Sequence, residues 1–157
     1  MSDFARRMGA ILFLCVSAGA FPVPSAAQTE AQSFEFPYFT LRNRTDAEDP
    51  GNFYGGDRSE LKAGLCRVVE LDLGVLSPLA EVAPNFLREE LLRVQTVQEM
   101  APAALLDGLE ATAGERGPAL YVHGYYIGFG KGCRRAALLQ QNAGLEGRFL
   151  WFSWPSD

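Results

Sequence analysis

Two short polar motifs follow the most apolar runs near the end of the sequence, and both contain residue types that can take part in chemistry. The residues concerned are His123, Gly124, Tyr125, Ser153, Trp154, Pro155 and Ser156. A glycine directly after a buried strand lets the backbone turn with its N–H groups aimed outward. Two such donors can stabilise a negatively charged oxygen, which is the oxyanion-hole arrangement. An ordinary turn also favours glycine there, so the residues alone leave both interpretations open.

The segments around these motifs predict a βαβ unit. Residues 119–122 are a short, fully apolar run, which is typical of a strand buried on both faces of a parallel sheet. Residues 129–143 have apolar residues at helical spacing, and residues 148–154 form a second apolar run. This order predicts an α/β fold with a right-handed crossover. Because ligands of open parallel sheets bind beyond the carboxyl ends of the strands, we expect both motifs on the same side.

The upstream half predicts two strands joined by a loop. Residues 34–42 alternate apolar with other residues, which indicates a strand, and Pro37 favours a position at the edge of the sheet. Residues 43–59 are dense in Asp, Asn, Pro and Gly, a composition typical of a loop. Residues 65–73 alternate again and predict the second strand.

The middle of the chain predicts a connector, a strand and a helix. Residues 74–84 form the connector. A helix beginning at Phe86 and a strand over residues 92–99 are both compatible with the next stretch, and we favour the strand. Residues 101–113 have helical spacing and predict a helix that ends at Gly114. The expected sheet has about four to five strands.

Several stretches together resemble a bacterial family of alpha/beta-hydrolases of unknown function, whose hallmark is the pattern VHGYN…F…RRAAQL…FSWPS. The matching stretches are residues 121–125 (YVHGY), Phe129, residues 134–137 (RRAA) and residues 152–156 (FSWPS). Residues 39–66 also resemble the family, with a strand before a Gly-Asp-Arg loop and a second strand after it. The resemblance covers residues 36–157.

The resemblance implies a sheet with a serine hydrolase site at its top, in which residues 119–122 are the third strand and residues 148–154 the fourth. The backbone at Gly124 and Tyr125 would supply one half of the oxyanion hole. The nucleophile would lie on the following strand, in a Gly/His-x-Ser-x-Gly elbow, with the acid and the base later in the chain. The substrate class in full-length relatives would be a small acyl or ester compound.

The chain departs from the family pattern just after the His-Gly-Tyr motif. Tyr126 stands where the family has Asn, and Gly128, Gly130 and Lys131 stand where it has polar and acidic residues. A glycine inside a helix lowers its stability by about 1 kcal/mol relative to Ala. The start of the helix over residues 129–143 is therefore expected to be less stable than in the family.

The motifs of a complete hydrolase site are missing from residues 28–157. There is no Gly-x-Ser-x-Gly in them, and His123 is the only histidine. Ser153 and Ser156 are poor nucleophile candidates, because no base is available to activate either. We therefore expect the N-terminal portion of an alpha/beta-hydrolase domain, with the nucleophile elbow and later strands missing, and inactive alone. We predict no catalytic residue, no metal and no cofactor in it.

The alternative is a secreted, non-catalytic binding or structural domain that reuses half of the hydrolase fold. An apolar strand with an open edge promotes association with other strands. This alternative therefore needs the edge of residues 119–122 to be covered, either by a complementing strand or by self-association.

Residues 1–27 have the composition of a signal peptide. Arg6 and Arg7 precede an apolar run over residues 9–21, and small residues follow at 25–27. The run is shorter than the roughly 20 residues of a membrane span, although a short anchor helix stays open as an alternative. We expect cleavage after Ala27 and export to the periplasm or the medium, with no stable membrane span afterwards.

Export places Cys66 and Cys133 in an oxidising compartment, where a disulfide is possible. We favour two separate, buried apolar residues. One histidine in the chain excludes an ordinary His-rich zinc site. The chain has 14 Lys and Arg against 19 Asp and Glu, a net charge of −5. With so few clustered basic residues, we expect no nucleic-acid partner.

Overall fold

Five strands form one mixed sheet, with helices packed on both of its faces. The computed structural model describes residues 32–74 and 82–156. The strands are β1 (Ser33–Arg44), β2 (Tyr54–Glu70), β3 (Leu92–Met100), β4 (Ala119–Val122) and β5 (Phe149–Ser153). The helices are α1 (Asn85–Glu90), α2 (Pro102–Ala113) and α3 (Phe129–Ala143), with short 3₁₀ turns at Pro50–Asn52 and Gly114–Arg116. The predicted α/β class is confirmed.

The sheet order places β5 between β1 and β4, because the strands follow each other as β3-β2-β1-β5-β4. β2 is antiparallel to both of its neighbours, β1 and β3. β5 is parallel to both of its neighbours, β1 and β4. β4, α3 and β5 therefore form the βαβ unit that the sequence predicts.

Alternate residues of β5 pack against helices on opposite faces of the sheet, as the two-residue period of a strand requires. The ring of Trp151 lies 5.1 Å from that of Phe129 in α3. Leu150 packs with Leu105 and Leu109 of α2 on the other face. The cluster under α3 is the larger one, and burial of each large apolar side chain in it contributes about 1.5–3 kcal/mol. Its other members include Phe34, Phe36, Tyr38, Val68, Ala136, Ala137 and Phe149.

Helix α3 has the bounds that the sequence predicts, and a close contact of its first turn explains why residue 130 is a glycine. A Cβ added at Gly130 would lie 2.5 Å from the carbonyl oxygen of Gly51 in the first 3₁₀ turn. The glycine therefore lets the helix contact this turn closely, and that contact offsets the weaker helix propensity. The end of the helix is a left-handed Gly144, with a φ of 58°.

Two predictions for the upstream half are wrong. Pro37 lies in β1, in the middle of the sheet rather than at an edge. The register of β1 with β5 begins only at Tyr38, so a proline at 37 removes no hydrogen bond to β5. The predicted loop over residues 43–59 is also too long, because β2 begins at Tyr54 and continues to Glu70. The glycines and polar residues of this stretch belong to an exposed strand end that pairs with β1.

The predictions of a strand and a helix in the middle of the chain hold, whereas most of the predicted connector over residues 74–84 lies outside the described residues. α1 begins at Asn85 and β3 follows it directly, so both the helix and the strand are present. Helix α2 runs over Pro102–Ala113 and ends at Gly114, as predicted. Leu105 and Leu109 are its buried residues among those described.

Strand β4 is not buried on both faces, and this prediction is wrong. Its side chains alternate between half-buried and exposed, with Leu120 63% and Val122 50% exposed. The strand is at the end of the sheet, and its inner face packs on the cluster under α3 through Tyr121. An apolar run that looks like a buried strand thus forms an edge here.

Cys66 and Cys133 are free thiols with no exposed surface, as favoured from the sequence. Burial and a hydrogen bond with Cys66 raise the pKa of the Cys133 thiol. The predicted signal peptide over residues 1–27 lies outside the described residues. No helix in the described ranges is long and apolar enough to cross a bilayer.

A chain of hydroxyl and carboxylate groups connects the core to the surface on the β1–β2–β3 side. The hydroxyls of Tyr38 and Tyr54 are 3.0 Å apart, and both residues are almost completely buried. The Tyr54 hydroxyl donates to Glu99 Oε1 at 2.7 Å, and the same carboxylate pairs with Arg44 at 2.9 Å. Burial raises the pKa of both phenols above the ordinary value of 10.

We expect this pair to make the fold sensitive to alkali. The folded chain holds both phenolic protons more tightly than the unfolded chain, so their contribution is complete below pH 10 and is lost as the pH rises above it. Tyr54→Phe should lower the free energy of unfolding by about 1 kcal/mol at neutral pH. Its stability should then decline less steeply than that of the wild type as the pH rises above about 10. Urea unfolding measures both slopes, and equal slopes would contradict the prediction.

Gly64 lies where β2 crosses over Tyr38, and we expect that no larger residue fits there. A Cβ at this position would lie 2.6 Å from the Tyr38 hydroxyl and would also collide with the Gln98 carbonyl of β3. Gly64→Ala should therefore destabilise the chain by about 1–3 kcal/mol in urea unfolding. Gly108→Ala in α2 is the matched control, because its Cβ meets no atom within 4 Å, and it should stabilise by up to about 1 kcal/mol. A fully stable Gly64→Ala variant would show that the strands can separate to admit a methyl group.

Candidate functional site

The structure brings the His-Gly-Tyr and Ser-Trp-Pro-Ser motifs into direct contact at the carboxyl ends of β4 and β5. The indole N–H of Trp154 donates to the carbonyl oxygen of His123 at 2.9 Å. The two rings stack, with centroids 5.9 Å apart and an angle of 10° between planes. The N–H of Tyr126 donates to the carbonyl oxygen of Ser156 at 2.8 Å. Pro155 is half-buried between these contacts.

Arg42 is completely buried beneath the two motifs, and the sequence reasoning missed it. Its Nε–H donates to Ser153 Oγ at 3.1 Å, and its Nη2 donates to the carbonyl oxygen of Ile127 at 2.6 Å. The alternation of β1 could have identified it. Every second residue of this strand from Phe34 onward is buried, and Arg42 continues that series.

Thr40 is a second missed residue, on the same buried face of β1. Its hydroxyl donates to the carbonyl oxygen of Ser153 at 2.8 Å and accepts the N–H of Arg42 at 3.1 Å. Because the first of these bonds satisfies a carbonyl group at the end of β5, Thr40 fixes where that strand ends relative to β1. The polar groups under the site are thus attached to the middle of the sheet.

His123 lies beside Ser153, so the statement that Ser153 has no base near it is wrong. The imidazole Nε2 is 3.4 Å from Ser153 Oγ, and Nδ1 is 2.8 Å from the carbonyl oxygen of Gly124. A carbonyl oxygen only accepts hydrogen bonds, which assigns a proton to Nδ1; in the neutral imidazole Nε2 is then an acceptor. Ser153 has no exposed surface, however, and its oxygen already accepts from Arg42. A substrate cannot reach this hydroxyl in the observed conformation.

Ser156 is also buried, and its contacts are structural. Its hydroxyl lies 3.4 Å from both the N–H and the carbonyl oxygen of Ile127, and 3.4 Å from Arg42 Nη2. The two motif serines therefore connect strand β5 to the loop that precedes α3. Neither presents its hydroxyl to solvent.

Gly124 and Tyr125 form the exposed part of the site. Among the hydrogen bonds of residues 32–74 and 82–156, none is donated by the N–H of either residue. No atom lies within 4 Å of a Cβ built on Gly124. The ring of Tyr125 is 75% exposed and contacts Trp154 edge-on, at 5.1 Å between centroids. The N–H groups of these two residues are the part of the arrangement with donors left for an anionic oxygen among the described residues.

Within the described ranges, no group of three His, Cys, Asp or Glu side chains could hold a metal ion. Comparison of the chain with protein-family models, curated proteins and solved structures gives no match. The functional interpretation therefore depends on the contacts between the two motifs and on the exposed backbone beside them.

We expect Tyr126→Asn to stabilise the chain. Tyr126 has a φ of 56°, and it is the only described non-glycine residue in the left-handed region. Its ring is 84% exposed, so little packing is lost by replacing it. Asn tolerates this conformation better than Tyr does, and a gain of up to about 1 kcal/mol in urea unfolding should result. It is also the residue that the resembled family has at this position.

Tyr125→Asn is the matched control for this substitution. Tyr125 is exposed as well, but its φ is not positive and its ring contacts Trp154. The control should therefore lose about 0.5–1.5 kcal/mol with that contact. An equal effect of the two substitutions would show that backbone conformation does not decide the result.

Proposed function

We propose that this chain is the N-terminal portion of an exported alpha/beta-hydrolase that cleaves small acyl or ester compounds through a serine acyl-enzyme. In this proposal the N–H groups of Gly124 and Tyr125 supply one half of the oxyanion hole. The nucleophile comes from a further strand that pairs with β4, and the acid and the base come from sequence later than that strand. No cofactor takes part.

The observation that carries the proposal is the contact between the two motifs at the carboxyl ends of adjacent parallel strands. The Trp154–His123 hydrogen bond and the stacked rings hold the end of β4 beside the end of β5. Active sites of open parallel sheets lie at these ends. Gly124 and Tyr125 are exposed residues there, and neither N–H donates a hydrogen bond within the described part of the chain.

The position of β4 also supports the proposal. In the resembled family, the strand that carries the nucleophile pairs with the strand corresponding to β4. Within the described residues β4 pairs with β5 alone, so its second edge is available. The exposed Leu120 and Val122 also give one face of the strand an apolar surface for a further element to cover.

The described serines and the histidine support a role as scaffold rather than as a triad. Ser153 and Ser156 are buried and hydrogen-bonded, and His123 is engaged with Gly124 and Ser153. The covalent step of a serine hydrolase needs an accessible hydroxyl with a base beside it. That hydroxyl is therefore proposed to come from the elbow on the added strand.

We expect the purified chain alone to show no turnover of a short p-nitrophenyl ester above the rate in buffer. A longer reading frame, or a second polypeptide that carries a Gly-x-Ser-x-Gly elbow, should produce turnover. Replacing the elbow serine with Ala should abolish it, because the acyl-enzyme can no longer form. Release of p-nitrophenol measures each rate. Turnover by the chain alone that disappears in Ser153→Ala or Ser156→Ala would overturn the proposal.

A second candidate, a secreted binding or structural domain, is favoured by one observation, the apolar and exposed side of β4. Such a domain would bind its partner there without catalysis. The size of the chain in solution separates the two candidates. A well-folded monomer or a defined dimer favours the binding domain. A soluble aggregate that becomes monodisperse with the complementing polypeptide favours the hydrolase portion.

A further inference from the structure

Arg42 binds the loop between β4 and α3 and two further segments of the chain. Its Nη2 donates to the carbonyl oxygen of Ile127, the residue just before the glycine that caps α3. Its Nη1 donates to the carbonyl oxygen of Gly55 at the start of β2, at 2.9 Å. Its Nε donates to Ser153 at the end of β5. The planar guanidinium thus fixes three backbone segments relative to one another.

A second set of contacts leads from Arg42 to the other end of the loop. Ser153 Oγ accepts the Nε–H of Arg42, and the same oxygen lies 3.4 Å from Nε2 of His123. A serine hydroxyl has one proton to donate and two lone pairs. With one lone pair occupied by Arg42, the proton is available for Nε2. This arrangement favours the tautomer of His123 in which Nδ1 carries the hydrogen.

The Nδ1–H of His123 in turn fixes the orientation of one peptide plane. It donates to the carbonyl oxygen of Gly124 at 2.8 Å. The peptide between Gly124 and Tyr125 is trans and planar, so its C=O and its N–H point in opposite directions. A carbonyl held toward the imidazole therefore leaves the N–H of Tyr125 pointing away from it.

We propose that Arg42 is a positioning residue that aims the Tyr125 N–H, acting through Ser153 and His123 at one end of the loop and through Ile127 at the other. Its role in catalysis rests on the proposed function, in which that N–H binds the oxyanion. The positioning itself does not depend on any substrate. Arg42 touches no reacting atom, since it is completely buried below the loop.

Nuclear magnetic resonance of the ¹⁵N-labelled chain tests the arrangement directly, because the sequence contains one histidine and its ring signals are unambiguous. In the wild type, Nδ1 should be the protonated nitrogen and Nε2 the unprotonated one. Ser153→Ala removes the hydroxyl that lies 3.4 Å from Nε2 of His123, so the Nε2 resonance should shift from its wild-type position. The Tyr125 amide resonance should shift with it.

Arg42→Lys tests the origin of the effect. A lysine ammonium keeps the positive charge but lacks the planar fork that reaches Ser153 and Ile127 together. We expect shifts of the His123 Nε2, Tyr125 and Ile127 resonances in this variant, together with faster hydrogen exchange at Ile127. In a complemented, active enzyme the same variant should lower kcat and leave KM unchanged, because only the developing oxyanion is affected.

Tyr54→Phe is the control for a general loss of stability. It removes one buried hydroxyl from a different hydrogen-bond chain, and it should leave the His123 and Tyr125 resonances unchanged.

His123→Asn and His123→Gln test whether the Nδ1–H of His123 orients the peptide between Gly124 and Tyr125. The Asn amide can occupy the position of Nδ1, so it should retain the Tyr125 amide resonance near its wild-type position, and Gln should not.

Three outcomes would overturn the positioning role. The first is a wild-type His123 that is protonated on Nε2 alone. The second is a folded Ser153→Ala variant with unchanged His123 and Tyr125 resonances. The third is an equal shift of the same resonances in Tyr54→Phe. If Arg42→Lys does not fold, Ser153→Ala still tests the positioning role, since it removes a single oxygen atom. Failure of the proposed function looks different, because the resonances would behave as expected and the complemented chain would still hydrolyse no ester.

Discussion

Strand β5 is hydrogen-bonded on both sides by parallel neighbours, to β1 over Tyr38–Thr40 and to β4 along the whole of that short strand. This double pairing determines where every polar group of the site can lie. The end of β5 is placed beside the ends of β1 and β4 at the same edge of the sheet. Three segments far apart in the sequence thereby contribute to one cluster. Without β5 in this position, Arg42 would have no serine to bind and the two motifs would not touch.

The sequence predicted correctly the elements whose bounds are determined by residues within the element itself. Helix α3 was predicted at its observed bounds, because its apolar spacing and the glycine at its end are both within the segment itself. The βαβ unit and the meeting of the two motifs followed from strand order alone. The position of β1 was wrong, because the rule that excludes proline from central strands does not consider where pairing begins. Register along β1 and β5 is a property of two distant segments.

The edge position of β4 was mispredicted for a related reason. Composition indicates that a strand is apolar, but it does not show what covers the strand. Leu120 and Val122 are as apolar as residues of a central strand, yet they are exposed on the face of β4 opposite Tyr121. Arg42 is the opposite case. No role is given to this charged residue in the sequence analysis, although the alternation of β1 points its side chain into the core.

The buried polar groups under the site cost stability, but they fix the relative positions of the segments that they join. Removing a guanidinium from water is unfavourable, and hydrogen bonds to carbonyls and hydroxyls only offset that loss. An apolar residue in the place of Arg42 could pack well, but it could not hold Ile127, Gly55 and Ser153 in fixed relative positions. The Tyr38–Tyr54–Glu99 chain, which contacts Phe129 through Tyr54, has the same character. Both networks specify how strands and loops align, which apolar contacts alone do poorly.

The direction of β4 decides what a strand added at its free edge could do. Its carboxyl end leads directly into Gly124, so a parallel strand paired there would also end beside the exposed N–H groups. A nucleophile elbow at the end of that strand would place its hydroxyl near the donors without any rearrangement of β4 or β5. An antiparallel strand would instead place its amino end there, and an elbow at its carboxyl end would place the hydroxyl at the opposite end of β4. The proposed hydrolase therefore requires a parallel partner, and a parallel partner needs a crossover connection or a separate polypeptide rather than a tight hairpin.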